Sequence, residues 1–176
     1  DENQVLDLRF DTASGEGPQG FSTRIENPFT HISDPNTKRV RLEELEERLR
    51  TASMTREDRI RMLEEAADLN AELGFRERGL HGFSKLYENT QNPAYLNRMG
   101  LLAAEIKDYV KAEKCFRECA RQSTWSAPLF NLALSFKDRR MYDQADAALD
   151  EAIVREEDPV YFVLRAILAE ARGDRK

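Results

Sequence analysis

Cysteine and histidine are scarce in this chain: 176 residues hold two of each. Cys115 and Cys119 lie four apart in a stretch of helical pattern, where side chains face the same way but straight-helix geometry suits a disulfide badly. No histidine or further cysteine lies near them in sequence, so both read as reduced packing residues, and a reducing, cytoplasmic compartment is favoured. Neither His31 nor His81 belongs to a metal or triad spacing, and there is no Gly-rich phosphate loop or serine nucleophile elbow. The expectation is a protein that is not an enzyme and carries no cofactor or metal. Long apolar runs are absent too. Nothing approaches the roughly 20 residues of a membrane-spanning helix, and the N-terminus lacks the basic-then-apolar order of a signal peptide. No segment alternates for long as a strand would, which leaves an all-α fold.

The formal charge is -6 and is unevenly placed. Residues 1–37 hold seven acids and two bases, leaving 26 acids against 25 bases in the remainder. A nearly neutral body with both signs interspersed is a poor match for a polyphosphate, so nucleic acid is not an expected partner. Runs such as Glu43, Glu44, Glu46 and Glu47 among Arg41, Arg48 and Arg50 read as a solvated helix face.

Residues 1–36 are rich in Gly, Ser, Thr, Asn and Pro, with apolar residues in no sustained period, and read as an extended arm. Its Phe21, Ile25, Phe29 and Ile32 are anchors enough to dock on a surface, the protein's own groove included. Residues 37–176 read as one helical domain. Val40, Leu42, Leu45 and Leu49 follow helical spacing, and Thr55 with Asp58 forms a capping-box start for a second helix that Gly74 closes. Asn92-Pro93 and Asp158-Pro159 mark later starts, and Ala127-Pro128 is a weaker version. Trp125, beside Pro128, reads as a packing wedge.

Self-similarity settles the architecture. A small residue recurs at Ala67, Gly100, Ala133 and Ala166, in steps of 33. Gly79, Ala112 and Ala145 keep the same step, as do Phe83, Phe116 and Leu149, and Leu86, Cys119 and Ala152. Small residues let two antiparallel helices approach where they cross, and the large residue fills the space beside them. Each pair leaves an apolar face that the next pair buries, so stability accumulates by neighbour contacts.

The segment Leu96-Asn-Arg-Met-Gly-Leu-Leu-Ala, with Lys107-Asp-Tyr-Val-Lys-Ala and Cys115-Phe-Arg-Glu-Cys-Ala, resembles a full tetratricopeptide repeat. So does Leu129-Phe-Asn-Leu-Ala-Leu-Ser-Phe with Met141-Tyr-Asp-Gln-Ala. The resemblance covers roughly two thirds of the chain. It implies a right-handed helical solenoid with repeats at 60–92, 93–125 and 126–158, a partial repeat or cap at 159–176 and an extra helix in front. The first repeat diverges, with Asn70 where the family prefers an aromatic and Gly79 in place of alanine. In the last helix Arg165 stands where a buried leucine is usual.

The resemblance further implies that the first helix of each repeat lines a concave groove that holds a peptide or an amphipathic helix. Carried over residue by residue, the groove contains Glu64, Asp68 and Glu72, then Asn97, Leu101, Ala104 and Glu105, then Phe130, Asn131, Leu134 and Lys137, then Val163 and Ile167. Of these, Asn97, Leu101, Phe130, Asn131, Leu134, Lys137, Val163 and Ile167 are the candidate peptide-binding residues. The Lys-Arg-Asn clamp by which heat-shock co-chaperones grip a dicarboxylate is missing, since Glu64 and Asp68 would repel an acidic tail. An apolar floor with an acidic end suits an apolar or amphipathic segment with basic flanks. The alternatives are a regulatory or substrate-recruiting module of a larger enzyme and an RNA-binding helical repeat, the latter disfavoured by the acidity.

Val160, Tyr161, Phe162, Val163, Leu164, Ile167 and Leu168 make the last helix apolar nearly all round, whereas a terminal cap shows a polar outer face. Its cover is expected from further repeats in a longer natural chain, then from a second copy in a homodimer, then from the arm.

Overall fold

The computed structural model describes residues 34–173. Of the arm expected at 1–36, all but the last three residues lies outside that range, docking segment included. Asp34 begins the first helix by accepting the Thr37 N–H at 2.9 Å, with proline in the first turn. This helix, α1 (Pro35–Thr51), is followed by α2 (Arg56–Glu72), α3 (Arg76–Thr90), α4 (Pro93–Glu105), α5 (Tyr109–Gln122), α6 (Ala127–Asp138), α7 (Tyr142–Arg155) and α8 (Pro159–Arg172). No strand occurs among the described residues.

The starts follow the capping chemistry. The Thr55 hydroxyl accepts the Asp58 N–H at 3.1 Å and donates to the Asp58 carboxylate at 2.9 Å. Asn92 and Asp158 accept the Ala94 and Val160 N–H groups at 3.0 and 2.9 Å, each just before a proline. The reversals between paired helices keep the repeat step as well. Gly74, Lys107, Arg140 and Gly173 are each 33 apart and all have positive φ, at 86°, 64°, 59° and 87°. A left-handed residue ends a helix by turning the chain back while freeing its last carbonyls for reverse-turn hydrogen bonds.

Helices pack as the pairs α2–α3, α4–α5 and α6–α7, with α1 against α2 and α8 against α7. Small residues sit at the crossings: a Cβ added at Gly100 would lie 2.5 to 2.9 Å from three ring carbons of Phe116, which is itself 1% exposed. One continuous core runs from Ala67 to Leu168, and Leu42, Leu45, Ala66 and Leu69 form a smaller cluster between α1 and α2. Val40 lies outside it, more than half exposed. The cysteines belong to the core. Both are buried and unbridged, the Cys119 thiol donates to the Pro93 carbonyl at 3.1 Å, and burial pushes the two thiols up to about 11 and about 12. In α8, Tyr161, Leu164 and Leu168 take the buried places, and Arg165 pairs with Asp150.

The first helices of successive pairs, and α8 after them, meet through contacts that differ in kind from one joint to the next. Arg98 of α4 donates to Asp68 of α2 at 2.5 Å. Asn131 of α6 donates to Asn97 of α4 at 3.2 Å, both amides buried. The rings of Phe130 on α6 and Tyr161 on α8 lie 5.1 Å apart. At the other edge of the array, Arg41 of α1 grips Glu65 of α2 through two nitrogens, at 2.6 and 3.0 Å.

Candidate peptide-binding face

The series α2, α4, α6, α8 builds a continuous face, because residues four apart on one helix stand one above the other and the 33-residue step carries that row to the next helix. On α2 the row is Glu64, Asp68 and Glu72, the last exposed. Burial first, then the charges of Glu64 and Glu72, push the Asp68 carboxyl up to about 7, with the Arg98 guanidinium opposing them at 2.5 Å. Burial also raises Glu64, whose carboxylate accepts the Tyr95 hydroxyl, and brings Arg98 down to about 10. Glu64 and Asp68 share Arg98, and the exposed Glu72 pairs with Lys38 of α1 at 2.8 Å, so three carboxyls against two cations leave this end of the face with a small negative surplus above about pH 7.

Further along, the candidate residues divide into two groups. Asn97, Phe130 and Asn131, at 0, 0 and 2% exposure, lie beneath the surface, and Leu134 is buried among the core residues. A partner resting on this face as it stands does not reach the first three. The physical reason is that adjacent first helices approach closely enough for these side chains to be spent on each other, Asn97 on Asn131 and Phe130 on Tyr161. Ala104 is buried too. Leu101 is half-buried against the core, Glu105 is exposed and paired with Arg76, and Lys137 is half-buried, 3.6 Å from Asp138. Val163 and Ile167 are open, at 50 and 40% exposure, and Phe162 beside them is 47% exposed. The candidate residues that reach solvent are therefore Leu101, Lys137, Val163 and Ile167.

Three contributors had escaped the sequence reading. Arg98 and Tyr95 shape the acidic end. Ser126, at the start of α6, caps nothing with its side chain. It accepts the Tyr161 hydroxyl at 2.7 Å and donates to Glu156 at 2.6 Å, tying α8 to the α6–α7 pair. A signal for Arg98 was present in the repeat step, since residues 65, 98, 131 and 164 run Glu, Arg, Asn, Leu and a lone guanidinium in that row faces acids on α2.

No family model matches the chain, and no curated protein matches it. Solved structures do. A double mutant of MamA RS-1 superposes with a TM-score of 0.64 at 18% identity, over 79% of this chain and 78% of that one. MamA AMB-1 gives 0.59 at 15% identity, over 81% and 78%. A tetratricopeptide repeat protein from Parabacteroides merdae gives 0.54 at 26% identity, over 84% of this chain and 60% of that one. With three helix pairs in a row and one helix before and one after them among the described residues, the chain has the fold of a tetratricopeptide-type helical solenoid.

Proposed function

We propose that this protein is an interaction scaffold that holds a peptide or amphipathic helix across the face of α2, α4, α6 and α8. The observation that carries the reading is the order of that face. It is acidic at α2, with Glu64, Asp68 and Glu72, and ends on the uncovered apolar group Phe162, Val163 and Ile167 at α8. A partner with basic residues at one end and apolar anchors at the other matches both ends, with Leu101 and Lys137 as the contacts between them. Neighbouring first helices at about 10 Å spacing put the two ends about 30 Å apart. An extended segment spans that in about nine residues and a helix in about 20. Homodimerisation through the same apolar side of α8 remains a competing use of that end.

The test is selection of binders from a random peptide library, followed by two charge variants. Val163→Asp with Ile167→Asp should abolish binding, and Asp68→Lys should remove the requirement for a basic end, both with helix content unchanged. Binders indifferent to both variants would place the site elsewhere. Sedimentation at high concentration, comparing the Val163→Asp/Ile167→Asp protein with the parent, reads the dimer.

A further inference from the structure

One side of α8 is open where the other first helices are covered. Ala166 continues the series Ala67, Gly100 and Ala133. In the pairs this small residue meets the second helix: a Cβ added at Gly82 of α3 would lie 2.8 Å from that of Ala67, Gly100 faces the Phe116 ring of α5, and Ala133 is fully buried. Phe162, one turn before Ala166, continues Leu63, Leu96 and Leu129, of which the last two are buried. No helix follows α8 among the described residues, so Ala166 is exposed and Phe162 is 47% exposed. This side is not the one that faces the groove. Val163 and Ile167 stand about 100° further round the helix, and Tyr161, Leu164 and Leu168 turn back into the core.

The row departs from its own pattern at α8. Its large residue is leucine in the three pairs and phenylalanine here, and a phenylalanine set against the small residue is what α5 supplies with Phe116. One stripe of α8 thus carries both halves of that contact, a ring and, one turn later, a methyl for a ring to cover. Such a stripe is complementary to itself. When two copies run antiparallel about a two-fold axis level with Leu164, each Phe162 ring falls on the Ala166 of the other. Charge selects the same direction. Glu156, Glu157 and Asp158 precede the helix, whereas residues 170–176 carry three bases against two acids. Antiparallel helices set the acidic end of one against the basic end of the other and align their dipoles favourably, while parallel ones would stack acids on acids.

We propose that a second copy of this chain covers this side, the two α8 helices pairing antiparallel across Phe162 and Ala166. A two-fold axis normal to the plane of the pair keeps sides a quarter turn from the seam facing the same way. Val163 and Ile167 of both copies then share one apolar floor, and the face of each copy is continued by its partner. The pairing uses Phe162 and leaves Val163 and Ile167 to a peptide, so it stands or falls separately from peptide binding. One helix on another covers less than the roughly 800 Å² per partner of a standard interface, so association is expected at about 10 to 100 μM.

Sedimentation equilibrium of the whole chain over a concentration series, without peptide, tests it. Phe162→Ala leaves methyl against methyl and Ala166→Phe sets ring against ring, and each should weaken the dimer about tenfold or more. The double variant Phe162→Ala/Ala166→Phe exchanges the two halves of the contact and should restore the parent's affinity to within about threefold. That rescue is expected only of two α8 helices paired at this level. Both positions are exposed in the single copy, and circular dichroism checks that helix content is unchanged. If Ala166→Phe folds poorly, Ala166→Glu puts a charge on the seam at the same place and should abolish the dimer. A parent protein monomeric at every concentration, as expected where some other helix covers α8, would overturn the proposal. So would a dimer indifferent to Phe162→Ala and Ala166→Glu, or a double variant no tighter than the single ones.

Discussion

Gly100→Ala is the sharpest test of the packing. In an isolated helix the change is favourable by about 1 kcal/mol, since alanine is the best helix former and glycine among the poorest. Here the new methyl would meet Phe116 at 2.5, 2.6 and 2.9 Å, where carbon atoms in good contact are about 3.5 to 4 Å apart. The ring is enclosed in the core and has no solvent to swing into. Overpacking of this kind costs about 1 to 3 kcal/mol, and a clash with three ring atoms belongs at the upper end. The net expectation is destabilisation by about 2 kcal/mol, a factor of about 30 in the folding equilibrium. Urea unfolding followed by far-ultraviolet circular dichroism measures it. The third pair supplies the control, because Ala133 and Leu149 occupy the positions of Gly100 and Phe116. Phe116→Leu alone should destabilise by opening a cavity, yet in the double variant the two costs should sum to less than their separate values by at least about 1 kcal/mol. A Gly100→Ala protein as stable as its parent, or strict additivity in the cycle, would refute the account of why glycine stands at that crossing.

Three further outcomes are expected. The Asp68 value of about 7 lies above its ordinary 3.8, so folding takes up a proton between those values. The group's contribution to stability is whole below the unfolded value and is lost as pH rises through about 7. Carboxyl NMR should give a midpoint near 7 for Asp68, and a midpoint below its ordinary value would mean that Arg98 dominates. Lys107→Gly and Arg140→Gly should each stabilise by about 0.5 to 1 kcal/mol in chemical denaturation, since both residues hold a left-handed backbone that glycine adopts without strain. A loss of stability in both would contradict that geometry. Tyr161→Phe should cost about 1 kcal/mol by removing the hydroxyl that Ser126 accepts, with little change in helix content. No measurable cost would mean that the Tyr161–Ser126–Glu156 chain does not secure α8.

The fold was legible because its signals are local and repeated. Proline after a capping side chain, glycine after a helix and small residues 33 apart each act within a few residues or at one crossing, and each appears where the sequence put it. The face was legible only in part. Family positions put Asn97 and Asn131 on neighbouring first helices, but a position in the repeat cannot tell whether side chains on adjacent helices are spent on a partner or on each other. That depends on the helix spacing, which no single helix encodes. Phe130 went the same way, since its ring partner Tyr161 is 31 residues away and was read only as one of several apolar residues on α8. Val163 and Ile167 stay exposed because no partner helix lies over that side of α8 among the described residues.

Arg98 on Asp68, Asn131 on Asn97 and Phe130 on Tyr161 join successive pairs by charge, by amide and by aromatic ring. Identical joints would let the modules be shuffled, dropped or slipped by one unit without penalty. These joints do not allow it. Excising residues 125–157 removes one whole step and keeps the Asp158 cap of α8 and every remaining turn, yet it sets Asn97 opposite Leu164 and buries its amide against a side chain with nothing to offer. Repetition makes the units alike enough to stack, while their unlike joints fix the order in which these units stand.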